Sequence, residues 1–161
     1  IVVLKKERII IGRRDKADFP QLELEGIDVK IDSGAYTSSF HCHQIQQFTQ
    51  NGKERVKCFF LDPEHHLYHE KELVFDVHKI RRVKSSNGQV EERISIKTEI
   101  ELFGNNYPIE LTLTERTDMR YPVLLGRKFI SKKFFIDTSR KNLSFAGHFF
   151  KAKITQESKL K

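Results

Sequence analysis

Alternation with a period of two dominates this chain. In Ile94-Ser95-Ile96-Lys97-Thr98-Glu99-Ile100-Glu101-Leu102 apolar and polar residues take turns, and Ile109-Glu110-Leu111-Thr112-Leu113-Thr114 repeats the pattern. Side chains of an extended strand point alternately to opposite faces, so each run predicts a strand with one buried face. Gly104-Asn105-Asn106 between them supplies the residues of a hairpin turn. Further strands are expected at Arg8–Arg13, Gly26–Ile31, Ser38–Phe48, Arg55–Leu61, Leu73–Val83, Tyr121–Leu125, Phe134–Asp137 and Leu143–Ala146. Asn51-Gly52 joins two of these, and Asp62-Pro63-Glu64 breaks another pair. Helix is scarce, with one short candidate after Gly126 in Arg127–Ser131. The pattern predicts an all-β fold, a closed or partly open barrel with one short helix.

At 161 residues the chain is expected to form one domain over 1–150, with a polar, frayed tail over 151–161. A chain of this length buries a core without disulfides, and Cys42 and Cys58 are too few for a disulfide framework. They read as free thiols in a reducing compartment, which makes the cytoplasm the expected location. The start at Ile1 leaves room for an upstream targeting segment. No apolar run approaches the ~20 residues that span a bilayer, so no membrane partner is expected. Lys and Arg exceed Asp and Glu by 29 to 22, a net charge of +7. The excess is scattered as pairs such as Arg13-Arg14, Arg81-Arg82 and Lys132-Lys133, without the aromatic-studded patch of a nucleic-acid binder. Nucleic acid is therefore not expected as a partner, and an acidic peptide suits the charge better.

Two motifs stand out against this background. Asp32-Ser33-Gly34-Ala35 follows the alternating run Ile27-Asp28-Val29-Lys30-Ile31, and Tyr121-Pro122-Val123-Leu124-Leu125-Gly126-Arg127 comes far downstream. An acid at a strand end, then Ser and Gly, is how an aspartic peptidase presents its carboxylate, although the same residues also fill ordinary turns. The ordered pair of motifs is more specific than either alone.

On these residues the chain resembles the retropepsin-like family that bears the name ATP-dependent zinc protease and is associated with RimK-type ATP-grasp ligases. The resemblance runs from Ile10 to about Phe145. It rests on Ile11-Gly12-Arg13-Arg14, on Lys30 through His41, on Val83-Lys84-Ser85-Ser86-Asn87-Gly88, on Ile109–Thr114 and on Met119 through Arg127. It implies a single-lobed aspartic-peptidase fold in which Asp32 is the catalytic aspartate. Ser33, Gly34 and Ala35 complete its loop, and Leu124, Leu125 and Gly126 form the strand threaded past it. The chain departs from the family pattern at Tyr36, where many relatives carry a basic residue, and at Ser33, where Thr is commoner.

Aspartic-peptidase chemistry needs two carboxylates sharing a proton, one acting as base toward water and the other polarising the scissile carbonyl. The chain has one Asp-Ser-Gly. A lookalike, Ile136-Asp137-Thr138-Ser139, lacks the Gly and reads as a strand end and turn. The second carboxylate is therefore expected from Asp32 of another subunit across a two-fold axis. Ser85-Ser86-Asn87-Gly88, between two long strand-like segments, reads either as a plain surface hairpin or as the tip of a flap over a substrate groove.

Zinc is the rival chemistry. His41 and His43 share a strand face but need further ligands, and His65-His66-x-x-His69-Glu70 matches no zinc-peptidase motif. No cofactor is expected, with zinc on His41 or His43 as the alternative. No phosphate-binding Gly loop is present, so any ATP dependence belongs to a partner ligase. The expected function is a homodimeric aspartic endopeptidase acting on peptides of an ATP-grasp ligase system. The alternatives are a non-catalytic peptide-binding module of the same fold and a zinc-dependent peptidase.

Overall fold

The computed structural model describes residues 2–85, 87–116 and 120–158. Its strands are β1 (Val2–Ile11), β2 (Arg14–Phe19), β3 (Leu24–Ile31), β4 (Ser38–Gln50), β5 (Lys53–Phe60), β6 (Leu73–Asp76), β7 (Lys79–Lys84), β8 (Val90–Leu102), β9 (Asn105–Thr114), β10 (Val123–Leu125), β11 (Phe134–Ile136) and β12 (Lys151–Ser158). A 3-10 turn covers Pro20–Leu22, and one short helix, α1, covers Arg127–Ile130. The fold is all-β, as the alternation requires.

The larger sheet runs β10-β3-β2-β8-β9-β4-β5-β6, with β7 added on β8. β10 also pairs with β4, so the sheet bends round into a ring. A smaller sheet, β11-β1-β12, lies beside it. One hairpin turn is the predicted Asn51-Gly52, and the other, expected at Gly104-Asn105-Asn106, lies one residue earlier. Asn51 and Gly52 both adopt positive φ between Gln50 and Lys53, the backbone that a two-residue turn between right-twisted strands demands. Phe103 and Gly104 do the same between β8 and β9, so Asn105 and Asn106 already belong to β9.

Inside the ring Phe19, Phe40 and Phe60 stack edge to face, with centroids 5.1 and 5.0 Å apart. Each buried aromatic or aliphatic side chain contributes about 1.5–3 kcal/mol. Ile96, Ile100 and Leu102 of β8 and Ile109, Leu111 and Leu113 of β9 point into this core, the faces assigned by the alternation. Cys42 and Cys58 are buried in it as free thiols, and burial pushes the Cys42 thiol well above its usual range.

Four expectations are corrected. Arg14–Phe19, absent from the predicted strands, is β2: its buried positions are Asp15, Ala17 and Phe19, and a charged residue at one of them hides the pattern. Leu73–Val83 is two strands, because the chain changes partner at Val77 and His78. β6 pairs with β5, whereas β7 pairs with β8. Leu143–Ala146 is a turn, since the buried Asp15 carboxylate accepts the Ser144 and Phe145 N–H groups at 2.9 and 3.1 Å and curls the backbone around itself. Finally, of the tail expected to fray, Lys151–Ser158 forms β12, antiparallel to β1 from Val2↔Ser158 to Ile9↔Lys151, and residues 159–161 lie outside the described residues. A polar sequence can do this because the ladder is built from backbone groups.

Candidate active site

The Asp32 loop is held by backbone from both sides. β10 runs parallel to β3, with Val123, Leu124 and Leu125 beside Val29, Lys30 and Ile31, and antiparallel to β4, with Val123 and Leu124 beside Phe40 and Ser39. The Asp32 N–H donates to the Leu125 carbonyl at 2.9 Å, which fixes the aspartate where β3 ends. The chain then turns. The Ala35 N–H returns to the Asp32 carbonyl at 3.2 Å, and the Gly34 N–H donates to Asp32 Oδ1 at 3.0 Å. Asp32 is half-buried, while Ser33 and Gly34 are exposed.

The glycines act by making room. A Cβ on Gly126 would lie 2.6 Å from the carbonyl oxygens of both Tyr36 and Thr37, closer than real Cβ contacts allow. A Cβ on Gly34 would sit 3.3 Å from Asp32 Oδ1. A side chain at Gly34 would thus press on the carboxylate and ask it to shift by a few tenths of an ångström; the Gly34 φ lies outside the left-handed region.

Three groups that the sequence reading quoted within its motifs without a role complete the frame. Ser38 Oγ, buried, accepts the Gly126 N–H at 3.0 Å. The Arg127 guanidinium donates to the Ser33 carbonyl at 2.9 Å and lies over the Tyr36 ring. The Arg127 and Lys128 N–H groups donate to the Ala35 and Tyr36 carbonyls, both at 2.9 Å, so α1 starts directly on the Asp32 loop. The third group is Glu110 of β9. Its carboxylate, 5% exposed, is gripped by Arg81 of β7 and Lys128 of α1. These cations, Arg81 first, hold its pKa far below the usual carboxylate range. In the sequence Glu110 is one more polar residue of an alternating strand, which signals a solvent-facing position.

The β7–β8 hairpin ends in a turn closed by Ser85 N–H to the Gln89 carbonyl at 2.8 Å and Gly88 N–H to the Ser85 carbonyl at 3.0 Å. Asn87 and Gly88 are exposed, and Ser86 lies outside the described residues.

The histidines have other partners. His41 is buried, and its Nδ1 accepts the Arg116 N–H at 3.1 Å. Burial lowers its pKa, with Asp62 and Glu115 opposing. It borders a cleft of about 280 Å³ with Asp28, Asp62, His65 and Arg116. His43 stacks on Phe59 and shares a 3.0 Å hydrogen bond with the Tyr68 hydroxyl. Among the described residues no group of three or more His, Cys, Asp or Glu is arranged to hold a metal. Asp137 is part of a turn, accepting from the Ser139 N–H and hydroxyl and pairing with Arg140.

An all-β ring with a strand threaded between β3 and β4, against an Asp-Ser-Gly loop, defines a retropepsin-like protein. The family model described as RimB-like, the retropepsin-like aspartic endopeptidase RimB, matches residues 10–145, and the chain belongs to that family. It is also similar to proteins named "Probable alpha-L-glutamate ligase". It is 37% identical over 140 residues to that of Shewanella pealeana and 36% identical over 132 residues to that of Desulfotalea psychrophila. The alignments cover 84% and 80% of this chain but 30% and 28% of those proteins, so the chain spans less than a third of their length. The crystal structure of Lpg0085 from Legionella pneumophila, a protein of unknown function, superposes with a TM-score of 0.66 at 23% identity. That match covers 84% of this chain and 97% of the other, a likeness of fold. No described helix is long and apolar enough to cross a membrane.

Proposed function

We propose that this protein is an aspartic endopeptidase whose active form is a homodimer, each subunit contributing Asp32. The observation that carries the reading is the mounting of Asp32: a half-buried carboxylate at a strand end, fixed through the Leu125 carbonyl, with Gly126 pressed against Thr37 behind it. Such a mount holds a reacting group to the precision that catalysis needs. In the dimer one Asp32 is ionised and takes a proton from water as its oxygen attacks the scissile carbonyl. The other carries a proton and gives it to the carbonyl oxygen. Collapse of the tetrahedral intermediate breaks the C–N bond and leaves the amine protonated, and the dyad recovers its single shared proton. The 85–88 turn serves as the flap, closing over an extended peptide and excluding water.

The Arg127 guanidinium on the Asp32 loop and the net charge of +7 suit an acidic peptide. The ligase name of the longer relatives supports a substrate bearing glutamate and a partnership with an ATP-grasp ligase. The test is cleavage of a glutamate-rich peptide by wild type, Asp32→Asn and mixtures of the two. The variant should be folded and inactive, and mixing should deplete activity beyond simple dilution, because mixed dimers hold one carboxylate. Full activity in Asp32→Asn would overturn the assignment. A monomer that binds such peptides without cutting them would instead make the protein a peptide-binding module.

A further inference from the structure

Glu110 of β9 reaches two elements that its own strand does not pair with: β7, which lies on the far edge of β8, and α1. Arg81 Nε and Nη2 donate to its two oxygens, each at 2.9 Å, in a bidentate fork. Lys128 Nζ donates to Oε1 at 2.5 Å, and His78 Nε2 stands 3.9 Å from the same oxygen. Arg81 lies on β7, the first arm of the proposed flap. Lys128 lies on α1, whose own N–H is bonded to the Tyr36 carbonyl of the Asp32 loop. A continuous path therefore runs from the flap arm through Arg81, Glu110 and Lys128 to the loop that carries Asp32.

The arm is anchored where it begins, by the Val77 and His78 N–H groups on the Glu54 and Ser95 carbonyls and by Val77 and Ile94 on the core, but beyond that point it has little else to fix it. β7 pairs with β8 along one edge, and its Ile80 is 53% exposed, as is Val90 opposite the end of the strand at 52%. Apolar burial thus contributes little to the attitude of this hairpin. A bidentate guanidinium–carboxylate pair sets angle as well as distance, and one shielded from water is weakly screened by salt.

We propose that Glu110 is a positioning residue: it sets the angle of the β7–β8 hairpin relative to the Asp32 loop, and so the height of the substrate groove. This deepens the aspartic-peptidase reading and rests on it. Glu110 touches no reacting atom; it acts through Arg81 and Lys128. An open hairpin would pay the ordering cost when substrate binds, so loss of the clamp weakens binding more than the chemical step.

The experiment is amide hydrogen exchange by mass spectrometry on the full chain, with peptidase kinetics alongside, for wild type, Glu110→Gln and Arg81→Lys. Glutamine keeps the shape of Glu110 and removes its charge, while lysine keeps the charge of Arg81 and removes the fork. Both variants should show exchange about tenfold faster in residues 79–93, with β4 and the 96–113 hairpin unchanged. Tenfold is the order expected for losing one charged hydrogen-bond pair. KM should rise about tenfold while kcat stays within about twofold. Unchanged exchange in 79–93 would overturn the proposal. So would faster exchange spread evenly over the whole sheet with unaltered KM, which marks a purely structural ion pair. Exchange is read without turnover, so an inactive wild type would refute the peptidase reading and leave the hairpin result standing. An active wild type whose hairpin ignores both substitutions would refute this inference alone.

Discussion

Gly126 leaves no room for a side chain against Thr37: a Cβ there would lie 2.6 Å from the Thr37 carbonyl oxygen and equally close to that of Tyr36. The obstacle is backbone, which cannot swing aside as a flexible side chain can. Gly126→Ala should therefore force β10 and the Asp32 loop apart. Its expected stability cost is about 1–3 kcal/mol, the range for overpacking a close contact. Cleavage should fall by much more than the lost folded fraction, because the Asp32 N–H to Leu125 bond is on the same strand. Denaturant unfolding beside single-turnover kinetics separates the two effects, and a variant as stable and active as wild type would contradict the packing.

Removing metal should leave cleavage intact. The motivating geometry is that His41 Nδ1 is engaged by the Arg116 N–H and His43 Nε2 by Tyr68. Treatment with a chelator, followed by elemental analysis and assay, checks this, and a transition-state mimic of aspartic peptidases should inhibit the metal-free protein. Stoichiometric zinc, with activity lost on its removal, would put His41 and His43 back at the centre of the chemistry.

Shortening the turn between Ser85 and Gln89 should weaken substrate binding and turnover while moving stability by less than about 1 kcal/mol, as for other solvated surface changes. The turn is exposed at Asn87 and Gly88 and contributes nothing to the core. Thermal melting of the shortened variant compared with its kcat/KM is the measurement. Unchanged cleavage would mean that the hairpin is ordinary surface.

His41 should make the protein acid-sensitive. Burial lowers its folded-state pKa beneath the usual value of about 6.5, so the unfolded chain takes up the proton first as pH falls. Stability is then lost from about pH 6.5 downward and levels off once His41 protonates in the folded state too. His65 and His78 are shifted in the same direction and add to the slope. Urea unfolding across this range should show a shallower pH dependence in His41→Gln. An identical slope would exclude His41 as a contributor.

The sequence by itself determined what depends on neighbours along the chain. Alternation over 94–102 and 109–114 set the buried faces of β8 and β9, and Asn51-Gly52 set a turn, because side-chain direction and turn backbone are local properties. The Asp32 loop and the Leu124-Leu125-Gly126 segment were legible as short motifs, although the contact that requires Gly126 is with the distant Tyr36 and Thr37 backbone. Only the tertiary structure decided which strands meet. Asp15 reads as a solvent residue until the 143–147 turn wraps around it, which hides the alternation of β2, a strand by its pairing with β3. The polar tail becomes β12 because β1 offers an unpaired edge some 150 residues earlier. Glu110 has the alternation of an exposed position, yet β7 and α1 bring Arg81 and Lys128 over it and exclude water. Burial of a charge is a property of the elements packed around it, and no pattern along one strand records them.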